Sequence, residues 1–186
     1  MTANELDTAI AAAQAGREEG YRKLFSEFSG VVFRLVSRMV ADVSEAEELT
    51  QDVFLQAFAT MQGFRPRGLG FEAWICRIAY NKAVDTLRHE IPRPVLMEDY
   101  ALGGDDTELT AFADPPDIAV SYEKRQDALV AAVAQLPEEE QALLQLFYYE
   151  EKTLSDISFI TGLNTAAVAN RLSRTRKKLR KQIENQ

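Results

Sequence analysis

The chain has 186 residues, 46% of them apolar and 27% charged, with a formal net charge of −8. That length suits one or two small cores, no apolar run approaches membrane-spanning length, and the acidic opening MTANELDTAIAAAQAG lacks the Lys/Arg-led apolar core of a signal peptide, so a cytoplasmic protein is expected. One cysteine, Cys76, and one histidine, His89, exclude an internal disulfide, a cysteine-cluster zinc site and a His-based metal site, and no catalytic constellation stands out, so neither enzyme chemistry nor a cofactor is expected.

The first helical signal spans residues 22–41, where Phe28, Val32, Leu35, Val36, Met39 and Val40 recur with helical period. Ser44 and Glu47 form a capping-box signature for a second helix running to about residue 61, with Leu49, Val53, Phe54, Ala57 and Phe58 on its apolar side. Its outer positions are Glu45, Glu48, Gln51, Asp52 and Gln56, which taken alone read as a solvated face. Residues 62–70 read as a loop, because Pro66, Gly68 and Gly70 break the period. A third helix is expected from 71 to about 89, with Phe71, Trp74, Ile75, Ile78 and Ala79 inward. Its other face carries Arg77, Asn81, Asp85 and Arg88, flanked by Lys82 and His89. Trp74 sits mid-stripe and reads as core more than as a stacking platform; Cys76 reads as filler and His89 as a helix-end cation.

Between residues 90 and 117 the texture changes. Pro92, Pro94, Gly103, Gly104, Pro115 and Pro116 punctuate a stretch rich in Asp and Glu, the composition of a flexible linker. Helical pattern returns near 121, and Leu136-Pro137 followed by Glu138, Glu139 and Glu140 marks a further helix start, with proline at the first helical position and acids at the positive end. Thr153 and Asp156 cap a short helix to about 161 that turns Ile157 and Ile160 inward. Gly162 supplies a turn, and Asn164 or Thr165 caps a last helix held by Val168, Leu172 and Leu179. Asn170, Arg174, Lys177, Lys178 and Lys181 form its outward stripe, widened by Arg171, Arg176 and Arg180. A bare basic helix is often a solvated face that complements its own dipole, but two helices around a glycine turn are the helix-turn-helix layout, whose second helix meets phosphates and base edges.

The words AEELTQDVFLQAF (residues 46–58), FEAWICRIAYNKAVDTLRH (71–89) and LPEEEQALLQLFYYEEKTLSDISFITGLNTAAVANRLSRTRKKLR (136–180) occur in an order that resembles the extracytoplasmic-function group of bacterial RNA polymerase sigma factors. The resemblance implies an all-α protein of two small helical domains: region 2 over residues 1–90, an acidic flexible linker over 91–117, and the region 4 helix-turn-helix over 118–186. It implies that Glu45, Glu48, Gln51, Asp52 and Gln56 dock on the coiled coil of the polymerase's largest subunit, with a further contact to the flap. Arg65, Arg67, Arg77, Asn81, Lys82, Asp85 and Arg88 then face the −10 element, Asn81 and the GFRPRGLG loop holding a flipped base. Ala166, Ala169, Asn170, Arg171, Ser173, Arg174, Lys177 and Lys178 face the −35 element. Promoter DNA, core polymerase and an anti-sigma factor are the implied partners, with no small-molecule substrate and no direct membrane insertion.

Three departures from the family pattern carry their own expectations. The Phe64–Gly70 loop is longer and more basic than the usual turn, so the preferred −10 base does not transfer. Ala169 stands where Lys or Arg is common, which thins direct base readout, and Phe159 replaces a commonly polar group, either packed against the linker or marking a partner surface. The departures at Ala169 and the Arg67 loop keep open a transcription-incompetent sigma mimic that titrates an anti-sigma factor; a stand-alone helix-turn-helix regulator, with the first block as a dimerisation or ligand domain, is a further reading. The acidic net charge predicts weak promoter binding by the free protein.

Overall fold

A computed structural model describes residues 1–65, 69–90 and 122–184, without the side chains of 88–90, 122–127 and 184. The expected linker, Arg67, and the side chains of Arg88 and His89 therefore lie outside the described residues.

The chain begins with a helix that the periodicity did not reveal. The Thr2 hydroxyl accepts the Glu5 N–H and the Glu5 carboxylate accepts the Thr2 N–H, a capping box that starts α1 (Ala3–Gln14). Gly16, at φ +73°, reverses the chain into α2 (Glu18–Val36), which packs along α1. Gly20 is where the two backbones meet: a Cβ there would stand 2.3 Å from the Ala13 nitrogen and 2.7 Å from the Ala9 oxygen. Gly20→Ala is therefore expected to prise α1 from α2 and lower stability by about 1–3 kcal/mol, read as a fall in the thermal midpoint.

α2 ends at Val36, five residues before the apolar period does. The chain bends after Ser37, yet Met39 and Val40 still drop into the core, so the apolar spacing outlasts the helix. α3 (Val43–Ala59) corrects the expected cap: Asp42 Oδ1 accepts the N–H groups of Ser44 (2.7 Å) and Glu45 (3.2 Å). A carboxylate at the positive end of a helix, taking two orphan donors, outcompetes the Ser44–Glu47 pairing. Beyond α3 the segment Met61–Gly63 makes one 3-10 turn, and α4 (Gly70–Glu90) follows with Phe71, Ile75, Ala79 and Ala83 buried.

The second set holds α5 (Tyr122–Ala134), α6 (Glu138–Leu144) with a π-helical turn Gln145–Tyr149 continuing it, α7 (Leu154–Thr161) and α8 (Thr165–Glu184). Pro137 is the cap of α6, extended at ψ 145°, rather than its first helical residue. The expected Thr153–Asp156 capping box and a left-handed Gly162 (φ +78°) frame α7. Asn164 caps α8 by accepting the Ala167 N–H at 2.7 Å. Acids of the first turn of α6 also tie α8 down: Glu139 pairs with Arg171, and Glu140 with Lys178 and Thr175.

α4 lies against α7, and the π turn against α2, so the apolar side chains of both sets form one continuous cluster. No helix among the described residues is long and apolar enough to cross a membrane.

Candidate nucleic-acid and polymerase interfaces

On α3, Glu48, Gln51, Asp52 and Gln56 are exposed and Glu45 is half-buried. Sequence reasoning missed their apolar neighbour, Leu55, which is 68% exposed beside Gln51 and Gln56. Its signal was available: Leu55 lies one helical turn beyond Gln51, on the polar side of a helix whose apolar side already holds Val53, Phe54 and Ala57. Asp52 also reaches α4, its carboxylate 2.6 Å from the Lys82 ammonium, so a residue of one candidate surface is paired with a residue of the other.

The turn before α4 and the start of α4 enclose an open cleft of about 460 Å³, lined by Thr60, Gly63, Phe64, Arg65 and Trp74. Phe64 is buried, its ring 4.7 Å from Trp74 and 5.5 Å from Phe71. Trp74 packs half-buried on the aromatic cluster, in keeping with a core role, and it also lines the cleft. Arg65 is exposed but folded back, donating from Nη1 to the carbonyls of Gln62 and Phe64 at 2.9 Å each. Asn81 and Asp85 are exposed farther along α4.

Arg77 is exposed on α4, as its helical position suggests, but its head group is engaged by α7. Its Nη1 donates to the Phe159 carbonyl at 3.0 Å, and the guanidinium sits 4.8 Å from the Phe159 ring centroid. Phe159 is therefore half-buried against α4. Two ion pairs flank this contact. Arg34 of α2 grips Glu150 with two bonds, Nε to Oε1 at 2.7 Å and Nη2 to Oε2 at 3.0 Å, and Lys152 meets Glu72 of α4 at 2.8 Å. Between Glu150 and Lys152, Glu151 takes a left-handed φ of +49°. Burial pushes the Glu150 carboxyl upward, but hydrogen bonds from Arg34 and Gln145 outweigh it and hold the group below its ordinary value of 4.5. Beneath this seam Cys76 is fully buried, its thiol pushed up to about 12 by burial.

On α8, Ala166, Asn170, Arg174, Lys177, Lys178 and Lys181 are exposed, while Ala169, Arg171 and Ser173 are half-buried. The geometry brings Asn170 and Arg174 onto one accessible face four residues apart. Arg171 and Lys178 keep their cationic groups near that face while pairing with α6. Among the described residues no cluster of His, Cys, Asp and Glu could hold a metal ion.

Comparison with known proteins adds a pattern to this geometry. Residues 24–90 match the family Sigma-70 region 2, and residues 126–179 match Sigma-70, region 4. The chain is 27% identical over 183 residues to the ECF RNA polymerase sigma factor SigW of Bacillus subtilis, the alignment covering 95% of each chain. Its fold is similar to that of CnrH solved in complex with the cytosolic domain of CnrY, at TM-score 0.66 and 18% identity over 96% of both chains. It is also similar to the sigma factor RpoE solved with the anti-sigma factor NepR from Bartonella quintana, at TM-score 0.62 and 18% identity over 88% of this chain and 96% of that one.

Proposed function

The chain belongs to the extracytoplasmic-function group of the sigma-70 family, and from that premise we infer how its two helical blocks divide the work. It is an alternative sigma factor that joins core RNA polymerase and directs promoter-specific initiation of transcription. The observation that carries this reading is the pairing, in order along one chain, of a region 2 match with a region 4 match whose helix-turn-helix exposes Asn170 and Arg174.

In this division α3 docks on the largest-subunit coiled coil through Glu48, Gln51, Asp52 and Gln56, with Glu45 at the edge. Acidic groups against a basic helical surface steer the encounter and fix register more than they add affinity. The cleft at Phe64 and Trp74 takes an unstacked −10 base, and Asn81, Lys82 and Asp85 follow the opened strand; stacking and cationic tracking are contacts that a paired duplex cannot satisfy. α8 enters the −35 major groove. Region 4 also meets the polymerase flap, an anti-sigma factor is the regulatory partner, and the protein works in the cytoplasm, where promoter DNA is. The test is capture of purified core polymerase followed by run-off transcription and sequencing of the transcripts. A chain that captures core yet initiates nothing would instead be a mimic.

Base readers and phosphate contacts on α8 separate cleanly by mutation. Arg174→Ala is expected to cost about tenfold in promoter binding at one or two −35 positions and to relax preference there. Lys177→Ala should weaken all −35 sequences alike and reduce the slope of log affinity against log salt by about one. Holoenzyme titrations on a panel of −35 variants at several salt concentrations distinguish the two.

A further inference from the structure

Gln14, the last residue of α1, reaches across to the turn that floors the cleft. Its Nε2 donates to the Phe64 carbonyl at 2.9 Å and to the Met61 carbonyl at 3.4 Å. These carbonyls stand at the two ends of the Met61–Gly63 turn, so one amide spans it. Within itself the turn is held by one 3-10 turn, with the Phe64 N–H on the Met61 carbonyl at 3.1 Å, and by Arg65 on the Gln62 and Phe64 carbonyls; Gln14 is a tie that reaches it from another helix. Phe64 places its ring on Trp74, and Arg65 follows immediately, so the spacing of the turn sets both the wall and the rim of the cleft. The anchor is firm on its own side, because the backbone contact at Gly20 locks α1 against α2. The region 2 match begins at residue 24, after α1, and does not reach Gln14.

We propose that Gln14 is a positioning residue for −10 recognition: by holding the 61–64 turn from outside the matched region, it sets the geometry in which the cleft accepts an unstacked base. This rests on the reading of the cleft as the base-capture site. Small displacements of a preorganised site carry large kinetic effects, because the reacting geometry is lost before any contact is removed.

The experiment uses the full chain with core polymerase and a promoter carrying a fluorescent base analogue beside the −10 element, with every base tried at the captured position. Gln14→Glu keeps the shape and replaces the donor by a carboxylate that repels both carbonyls. It is expected to slow promoter opening about tenfold on the preferred base and to compress the preference among bases, with core affinity unchanged and only a small fall in the thermal midpoint. Gln14→Lys, which restores a donor, should recover most of the preference. Arg65→Ala, at the rim, reports on the cleft itself. If Arg65→Ala alters base preference while Gln14→Glu leaves it intact, the positioning role is overturned and the cleft reading stands. If neither variant alters preference, the cleft reading falls and takes the proposal with it. A loss in Gln14→Glu that tracks a lowered midpoint, with base preference unchanged, also overturns it.

Discussion

Replacing Leu55 by Asp, or Gln51 and Asp52 together by Ala, is expected to abolish capture of core polymerase while the thermal midpoint stays near that of the parent chain. Leu55 is 68% exposed on α3, so its replacement costs the free protein little: substitutions at surface positions without special contacts usually fall within about 0.5 kcal/mol. In the docked state the same side chain has apolar area to lose to a partner, worth about 1.5–3 kcal/mol when fully covered, and an unpaired carboxylate in its place adds a desolvation penalty. The two contributions together weaken binding by about a hundredfold or more. For the double alanine variant, the Asp52–Lys82 pair is partly solvated, so its loss costs the fold less than about 1 kcal/mol. Titration of purified core polymerase reads both variants. Parental affinity in both would remove α3 from the interface.

Reversing one charge at the seam between the two helical sets should separate them. Glu150 is 8% exposed at its side chain and takes both bonds of Arg34, which is itself 54% exposed. The pair therefore lies between the surface case, worth little, and the buried case, where an abandoned partner is costly. Glu150→Arg replaces attraction by repulsion and deletes the bond from Gln145 as well, a change of about 2–3 kcal/mol, or roughly 30- to 100-fold in the closed-to-open ratio. Arg34→Glu alone should act in the same direction, and the double reversal should recover closure. The distance between α2 and α7 in solution is the readout, and single reversals that leave it unchanged would relieve this pair of any part in closure. Acid gives the same test without mutation. Because the Glu150 carboxyl is held below its ordinary value, the pair stabilises closure above about pH 4.5 and loses that contribution as pH falls through the depressed value, so closure should not vary between pH 6 and 8. Opening also frees Arg77, whose guanidinium is otherwise held on Phe159.

What was legible in sequence was local. The Thr153–Asp156 box, the Gly162 turn and the Val168–Leu172–Leu179 stripe each depend on residues within a few turns of one another, and the geometry follows the spacing. The Ser44 cap was misread for an equally local reason: Asp42, two residues earlier, offered a stronger acceptor to the same donors. α1 was missed because its inward residues are mostly alanines, whose small side chains suit the close approach at Gly20 but give a faint periodic signal; the Thr2–Glu5 pair was the mark to read. The seam could not be read at all. Arg77 and Phe159 are 82 residues apart, and Arg34 and Glu150 are 116 apart, and each looked like an ordinary residue of its own helix. The same holds for Gln14, whose amide means nothing until the chain returns to it 50 residues later.

Cys76 has a practical consequence for following these motions. A thiol must ionise and meet its reagent to be alkylated, and this one is fully buried with its titration pushed up to about 12. In the closed arrangement the native thiol is therefore expected to resist maleimide dyes near neutral pH, whereas opening the seam above it would uncover it. The alkylation rate of the one cysteine nature supplied would then report opening directly, in a molecule with no substitution at all.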